Sequence, residues 1–76
     1  MCTDLPRNLH RGMESVTVSF LQSFLLEKGF LEGEATGFYG DNTVDAVKAY
    51  QSAKDLPVTG MVYDFTREAI RAETCQ

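Results

Sequence analysis

The chain states one short phrase twice, 23 residues apart, and this repeat constrains the fold more than any other feature of the sequence. Thr36 to Ala49 reads T-G-F-Y-G-D-N-T-V-D-A-V-K-A, and Thr59 to Ala72 reads T-G-M-V-Y-D-F-T-R-E-A-I-R-A. Identity falls at Thr36/Thr59, Gly37/Gly60, Asp41/Asp64, Thr43/Thr66, Ala46/Ala69 and Ala49/Ala72, while Phe38/Met61, Val47/Ile70 and Lys48/Arg71 keep their chemistry. A short period of this kind encodes one supersecondary unit used more than once. Each copy opens on a Thr-Gly turn and runs into apolar residues at helical spacing, which predicts a turn that launches a helix. Gly37 and Gly60 are expected to adopt backbone angles costly for other residues.

The flanking residues complete a three-helix pattern. Ser15 is a candidate N-cap for a first helix running to about Lys28, with Gly29 as its terminator. Val18, Leu21 and Leu25 form one apolar stripe on that helix, and Val16, Phe20 and Phe24 form a second. Two stripes exceed what one core contact needs, so either the helix is central or an aromatic edge faces a partner. The first copy launches a second helix between Gly40 and Asn42, lasting to about Lys54, with Asp41 or Asn42 accepting from free backbone N–H groups. Leu56-Pro57-Val58 breaks it, and the second copy launches a third helix from Tyr63 or Asp64 to Glu73. The expected fold class is all-α: a small three-helix bundle with two similar turn-helix units and an N-terminal arm. The arm is residues 1–14, the helical domain 15–73, and the tail 74–76. Leu21, Leu25, Phe38, Tyr39, Val47, Leu56, Val58 and Ile70 are the expected core.

At 76 residues the chain can hold one core and has little volume to give up to a deep catalytic cleft, so a surface groove is the easier feature to build. Seven Lys and Arg lie scattered singly in a chain of formal charge −4, which argues against nucleic acid as partner. The longest apolar run, Val16 to Leu26, is too short and too often interrupted by polar residues for a membrane span. The first fifteen residues carry several charges and no apolar stretch, so they do not read as a secretory signal. The protein is therefore expected inside a cell or virion, or in the envelope or outside the cell after removal of an export segment.

Cys2 and Cys75 would close nearly the whole chain if bonded, worth about 4 kcal/mol by loop entropy. Two unrelated terminal thiols are the other reading. With His10 they supply too few ligands for a metal site, and no cofactor is implied. No residue pattern supports catalysis. His10, the single histidine, lies in the lead-in, and the acid pairs Glu32/Glu34 and Asp41/Asp45 are accounted for by solvation and by a helix start.

Taken together, V-x-x-L-Q-x-x-L at Val18, Leu21, Gln22 and Leu25, then Gly29-Phe30, T-G-F-Y-G-x-x-T-x-x-A-V-x-x-Y-Q from Thr36 to Gln51, L-P-V-T-G from Leu56 to Gly60, and T-x-x-A-I from Thr66 to Ile70 form a recognisable series. It resembles the peptidoglycan-binding-like domain. The resemblance spans roughly Leu9 to Ile70 and implies a non-catalytic three-helix module, usually appended to cell-wall hydrolases, that tethers them to peptidoglycan. Phe38-Tyr39 reverses the family's usual Tyr-Phe order, so a hydroxyl at a commonly buried position needs a hydrogen-bond partner.

A wall-binding site needs flat apolar groups for sugar faces, with amides and carboxylates for hydroxyls and peptide groups. Phe38, Tyr39, Asp41, Tyr50 and Gln51 cluster around the first copy and the exit of the second helix, and are the candidates for contact with glycan or stem peptide. Each also has a structural reading as core, cap or loop support. Gln22 and Gln51 in particular are expected to hold loops in place. The alternative function is a small structural or adaptor protein reusing the fold for protein contact, in a virion or an envelope assembly, with Phe20, Phe24 and Tyr63 in the interface.

Overall fold

The computed structural model describes Thr3 and residues 5–75, and three helices carry the architecture: α1, Val16–Glu27; α2, Asp41–Ala53; and α3, Asp64–Thr74. Both readings of Cys2 and Cys75, a disulfide or two unrelated thiols, fall on Cys2, which lies outside the described residues. Among those residues extended pairing is limited to two isolated antiparallel bridges, Leu9 with Val62 and Glu14 with Phe38.

Local signals set the helix ends. Ser15 is the N-cap of α1, its hydroxyl accepting from the Val18 N–H at 3.3 Å. At the other end Gly29 takes φ 84°, its N–H donates to the Leu26 carbonyl, and the Phe30 N–H reaches back to Leu25. This paired closure satisfies two carbonyls the helix would otherwise leave open. The exit of α2 repeats it: Asp55 takes the glycine's place at φ 57°, with its N–H to Ser52 and the Leu56 N–H to Gln51.

The starts of α2 and α3 correct one expectation. Gly40 and Tyr63 are the N-caps, both extended, and neither helix has a side-chain cap bond. Asp41 and Asp64 are instead the first helical residues, where a carboxylate suits the positive end of the helix dipole.

The core draws on every helix and every connection. Leu21, Leu25, Val47 and Ile70 meet Leu5 and Leu9 from the N-terminal segment, with Tyr39 and Val62 from the two repeat copies. That segment runs across both copies: Tyr39 exchanges backbone hydrogen bonds with Met13 and Gly12, and Val62 exchanges a pair with Leu9. Phe38 and Val58, expected in the core, are exposed. Successive side chains of extended backbone point to opposite sides, so fixing Tyr39 inward turns Phe38 outward. Leu56 is half-buried at the core's edge.

Candidate functional site

A glutamine from the preceding helix anchors each copy of the repeat. The Gly37 N–H donates to Gln22 Oε1 at 2.7 Å, and Gln22 Nε2 donates to the Phe38 carbonyl at 2.8 Å and to Thr43 Oγ1 at 2.9 Å. In the second copy the Thr59 and Gly60 N–H groups both reach Gln51 Oε1 at 3.0 Å, and Gln51 Nε2 donates to the Met61 carbonyl at 2.8 Å and Thr66 Oγ1 at 3.1 Å. Both glutamines are buried, so the loops are held by directional bonds in a place where breaking them is costly. The loop-holding role expected for Gln22 and Gln51 is thus present, and the Thr-Gly phrase is the part of each loop that answers the amide.

With the backbones matched, the side chains decide what each copy offers to solvent. In the first copy Phe38 is 49% exposed, and its ring lies over Gly40 closely enough that an added Cβ there would sit 3.1 Å from Cε2. In the second copy Met61 and Tyr63 occupy these places, and the Tyr63 hydroxyl sits 3.1 Å from Met61 Sδ. Glycine leaves no side chain beside the aromatic ring of the first copy, whereas the corresponding place in the second copy carries the exposed Tyr63.

A groove of about 310 Å³ opens at the first copy. It is lined by the buried Gln22, Leu31 and Thr43, by Glu32 to Glu34 and Thr36 of the loop after α1, and by Phe38, Gly40, Asp41 and Asn42 at the start of α2. It adjoins a depression of about 250 Å³ that shares Leu31, Glu32 and Asn42 and extends to Phe30 and Asp45. Arg11 Nη2 lies 2.8 Å from Asp41 Oδ1 in an exposed ion pair. A second concavity of about 310 Å³ lies between Leu5 and α3, beside Asp64, Glu68 and Arg71. The Arg67 guanidinium there is committed to the Leu5 carbonyl, Asn8 Oδ1 and Asp64. Its polar equipment ties the N-terminal segment to α3, which leaves the first groove as the better-equipped candidate.

Of the five residues expected at a ligand, the structure brings only Phe38 and Asp41 to this groove. Tyr39, Tyr50 and Gln51 are buried and bonded internally, which corrects their assignment. The Tyr39 hydroxyl donates to the Gly60 carbonyl at 2.7 Å, supplying the partner its position requires. The Tyr50 hydroxyl donates to Glu73 Oε2 at 3.0 Å, and the rings of Phe24 and Phe30 meet Tyr50 edge-on at 5.4 and 5.6 Å. Burial pushes both phenols well above the ordinary tyrosine value. The nearby Tyr63 adds to the shift at Tyr39, and the bond and charge of Glu73 add to it at Tyr50.

The proposed aromatic interface likewise divides. Phe20 and Tyr63 are exposed, but Phe24 is 3% exposed because Tyr50 meets it at the C-terminal end of α1. Sequence reading missed Glu32, Glu34, Thr36 and Asn42 as parts of one groove. Only Gly33 hinted that their loop folds back, and it does so at φ 103°.

These features define a class: a three-helix domain with glutamine-clamped turns and one open groove beside an exposed aromatic. A family model described as "Putative peptidoglycan binding domain" matches residues 14–70, and the chain belongs to this family. Among solved structures it is similar to the SleB N-terminal domain, at 31% identity and a TM-score of 0.85 over 90% of this chain and 93% of that one. It is also similar to part of the L,D-transpeptidase from Xylanimonas cellulosilytica DSM 15894, at 36% identity and a TM-score of 0.81. That likeness covers 88% of this chain and 33% of the transpeptidase chain. No curated protein sequence matches. Among the described residues no helix is long and apolar enough to cross a membrane.

Proposed function

We propose that the domain binds peptidoglycan without transforming it, and that the groove beside Phe38 is where the polymer lies. The observation that carries this reading is the difference between the copies: Gly40 leaves the Phe38 ring available as a flat platform, and Tyr63 occupies the matching place in the second copy. Beside the ring, Asn42 supplies an amide and Asp41 a carboxylate, the group types that hydrogen-bond sugar hydroxyls and peptide N–H groups.

Two points support a role without chemistry. His10, the single histidine, is exposed on the N-terminal segment with Nδ1 3.0 Å from the Arg11 carbonyl, and it does not line the groove. The transpeptidase chain is about three times as long as its matched part, which fits a module that delivers a separate catalytic unit to its substrate. On this reading the protein works at the cell envelope or outside the cell.

Co-sedimentation with purified insoluble peptidoglycan tests the proposal. Wild type should pellet with the wall and a folded Phe38→Ala variant should largely stay in solution, whereas wild type remaining in the supernatant sinks the reading. Contact with a protein partner is a second reading, favoured by the exposed Val58, Tyr63 and Phe65 around the second copy. It expects Phe65→Ala to abolish capture of that partner while leaving wall binding unchanged.

A further inference from the structure

Of the six glycines in the chain, five take positive φ, and Gly40 alone does not. Its backbone is extended, at φ −99° and ψ −167°, a conformation open to any residue. The matching place in the second copy proves the point, because Tyr63 stands there at φ −109° and ψ −164°. Helix stability does not call for glycine either. Gly40 is the N-cap of α2 and brings no side-chain bond to it, whereas Ser15 caps α1 through its hydroxyl. Gly40→Ser would supply an acceptor for one of the free N–H groups at that helix start.

What a side chain at this position would meet is Phe38. A Cβ on Gly40 would lie 3.1 Å from Phe38 Cε2 and 3.3 Å from Cδ2, inside the ordinary carbon–carbon separation of about 3.5–4.0 Å. The Gly40 N–H donates to the Phe38 carbonyl at 3.1 Å, which holds the two residues in one tight turn. The ring is half-exposed, so it would give way before the backbone did. The second copy shows the same relation filled, with the Tyr63 hydroxyl turned back to Met61 Sδ. Resting on the groove reading above, we infer that Gly40 is a positioning residue for the wall site: its missing side chain sets where the Phe38 ring lies, and α2 forgoes a cap for it. A side chain at position 40 displaces or covers the ring, and its effect falls on binding rather than on the fold.

The test measures co-sedimentation with purified insoluble peptidoglycan and urea denaturation for wild type, Gly40→Ser, Gly40→Tyr and Phe38→Ala. Gly40→Ser should raise the urea midpoint, through the added cap and a less flexible unfolded chain, and yet bind the wall about threefold more weakly. Gly40→Tyr should bind as weakly as Phe38→Ala, and if it does not fold the serine variant decides alone. Adding Gly40→Ser to Phe38→Ala should weaken binding no further, because the residue acts through the ring. In NMR spectra of wild type the ring current of Phe38 should separate the two Gly40 α-proton shifts, and Phe38→Ala should draw them together. Wild-type binding by Gly40→Ser overturns the role of Gly40 and leaves wall binding at Phe38 intact. A loss of binding by Gly40→Ser that accompanies a fall in its urea midpoint, or that persists in the Phe38→Ala background, does the same. No binding by wild type overturns both.

Discussion

The hydroxyl of Tyr39, in the first copy of the repeat, donates a 2.7 Å hydrogen bond to the carbonyl of Gly60 in the second. Tyr39 is 0% exposed and Gly60 is buried, so this bond joins the two loops inside the core rather than at the surface. Tyr39→Phe leaves the Gly60 carbonyl buried without that donor and should cost about 1–2 kcal/mol in urea denaturation, with an unchanged dependence on urea. Wall binding by the folded variant should not change. An unaltered midpoint would mean the loops are not coupled through this contact.

The two glutamines give a matched pair for mutation. Gln22→Ala and Gln51→Ala each strand several polar partners, and each should cost about 2–4 kcal/mol. Gln51 answers two backbone N–H groups where Gln22 answers one, so Gln51→Ala should be the more damaging. Chemical denaturation of both variants checks the order, and a loss under about 1 kcal/mol at either site would contradict the clamp.

Asp55 ends α2 in the left-handed conformation that Gly29 adopts at the end of α1. A side chain is disfavoured there and Asp55 is exposed, so Asp55→Gly should stabilise the protein by about 0.5–1 kcal/mol despite the flexibility glycine adds to the unfolded chain. A rise in Tm is the expected result. A fall would show that the aspartate makes a compensating interaction.

Glu73 gathers the C-terminal ends of all three helices. Lys28 and Lys54, the C-caps of α1 and α2, lie 3.6 and 3.5 Å from its carboxylate, and the Tyr50 hydroxyl donates to it. Its partial burial pushes the carboxyl up, but the Tyr50 bond and the charges of Lys54 and Lys28 outweigh this and hold it below the ordinary glutamate value. A carboxyl depressed in the folded state contributes stability that is fully present above its unfolded pKa and lost as pH falls through the folded one. Glu73→Gln should therefore cost about 1 kcal/mol at neutral pH, and the gap from wild type should close as the solution is acidified past the ordinary glutamate value. Urea midpoints measured across that range check the sign, and a gap independent of pH would contradict it.

Local chemistry made the helices legible in the sequence. Ser15 ahead of an apolar stripe, Gly29 after it and Pro57 beyond α2 act within a turn or two of the chain, and the helix ends fall where they point. The glutamine clamps were legible in part, because the position of Gln22 suggested support for a loop even though its partners lie 15 to 21 residues away.

The candidate site was less legible because it depends on which way a few side chains turn. Phe38 and Tyr39 have the same hydrophobic pattern, and only the backbone pairing of Tyr39 with Met13 and Gly12 decides which ring is buried. Phe24 and Phe20 likewise share a stripe, and the arrival of Tyr50 separates them. The four-residue spacing of Leu5, Leu9 and Met13 suggests that they pack, but their partners, such as Val62 paired with Leu9, lie far along the chain and are not marked by that spacing.

The central claim is that the first copy of the repeat binds wall polymer and the second does not. An amide NMR titration of the folded domain with soluble peptidoglycan fragments tests it most directly. Shifts should concentrate between Leu31 and Thr43, with Phe38, Asp41 and Asn42 among the largest, and should be absent from Phe38→Ala at the same fragment concentration. Shifts centred instead on Val58 to Phe65, or no shifts at all, would contradict the account.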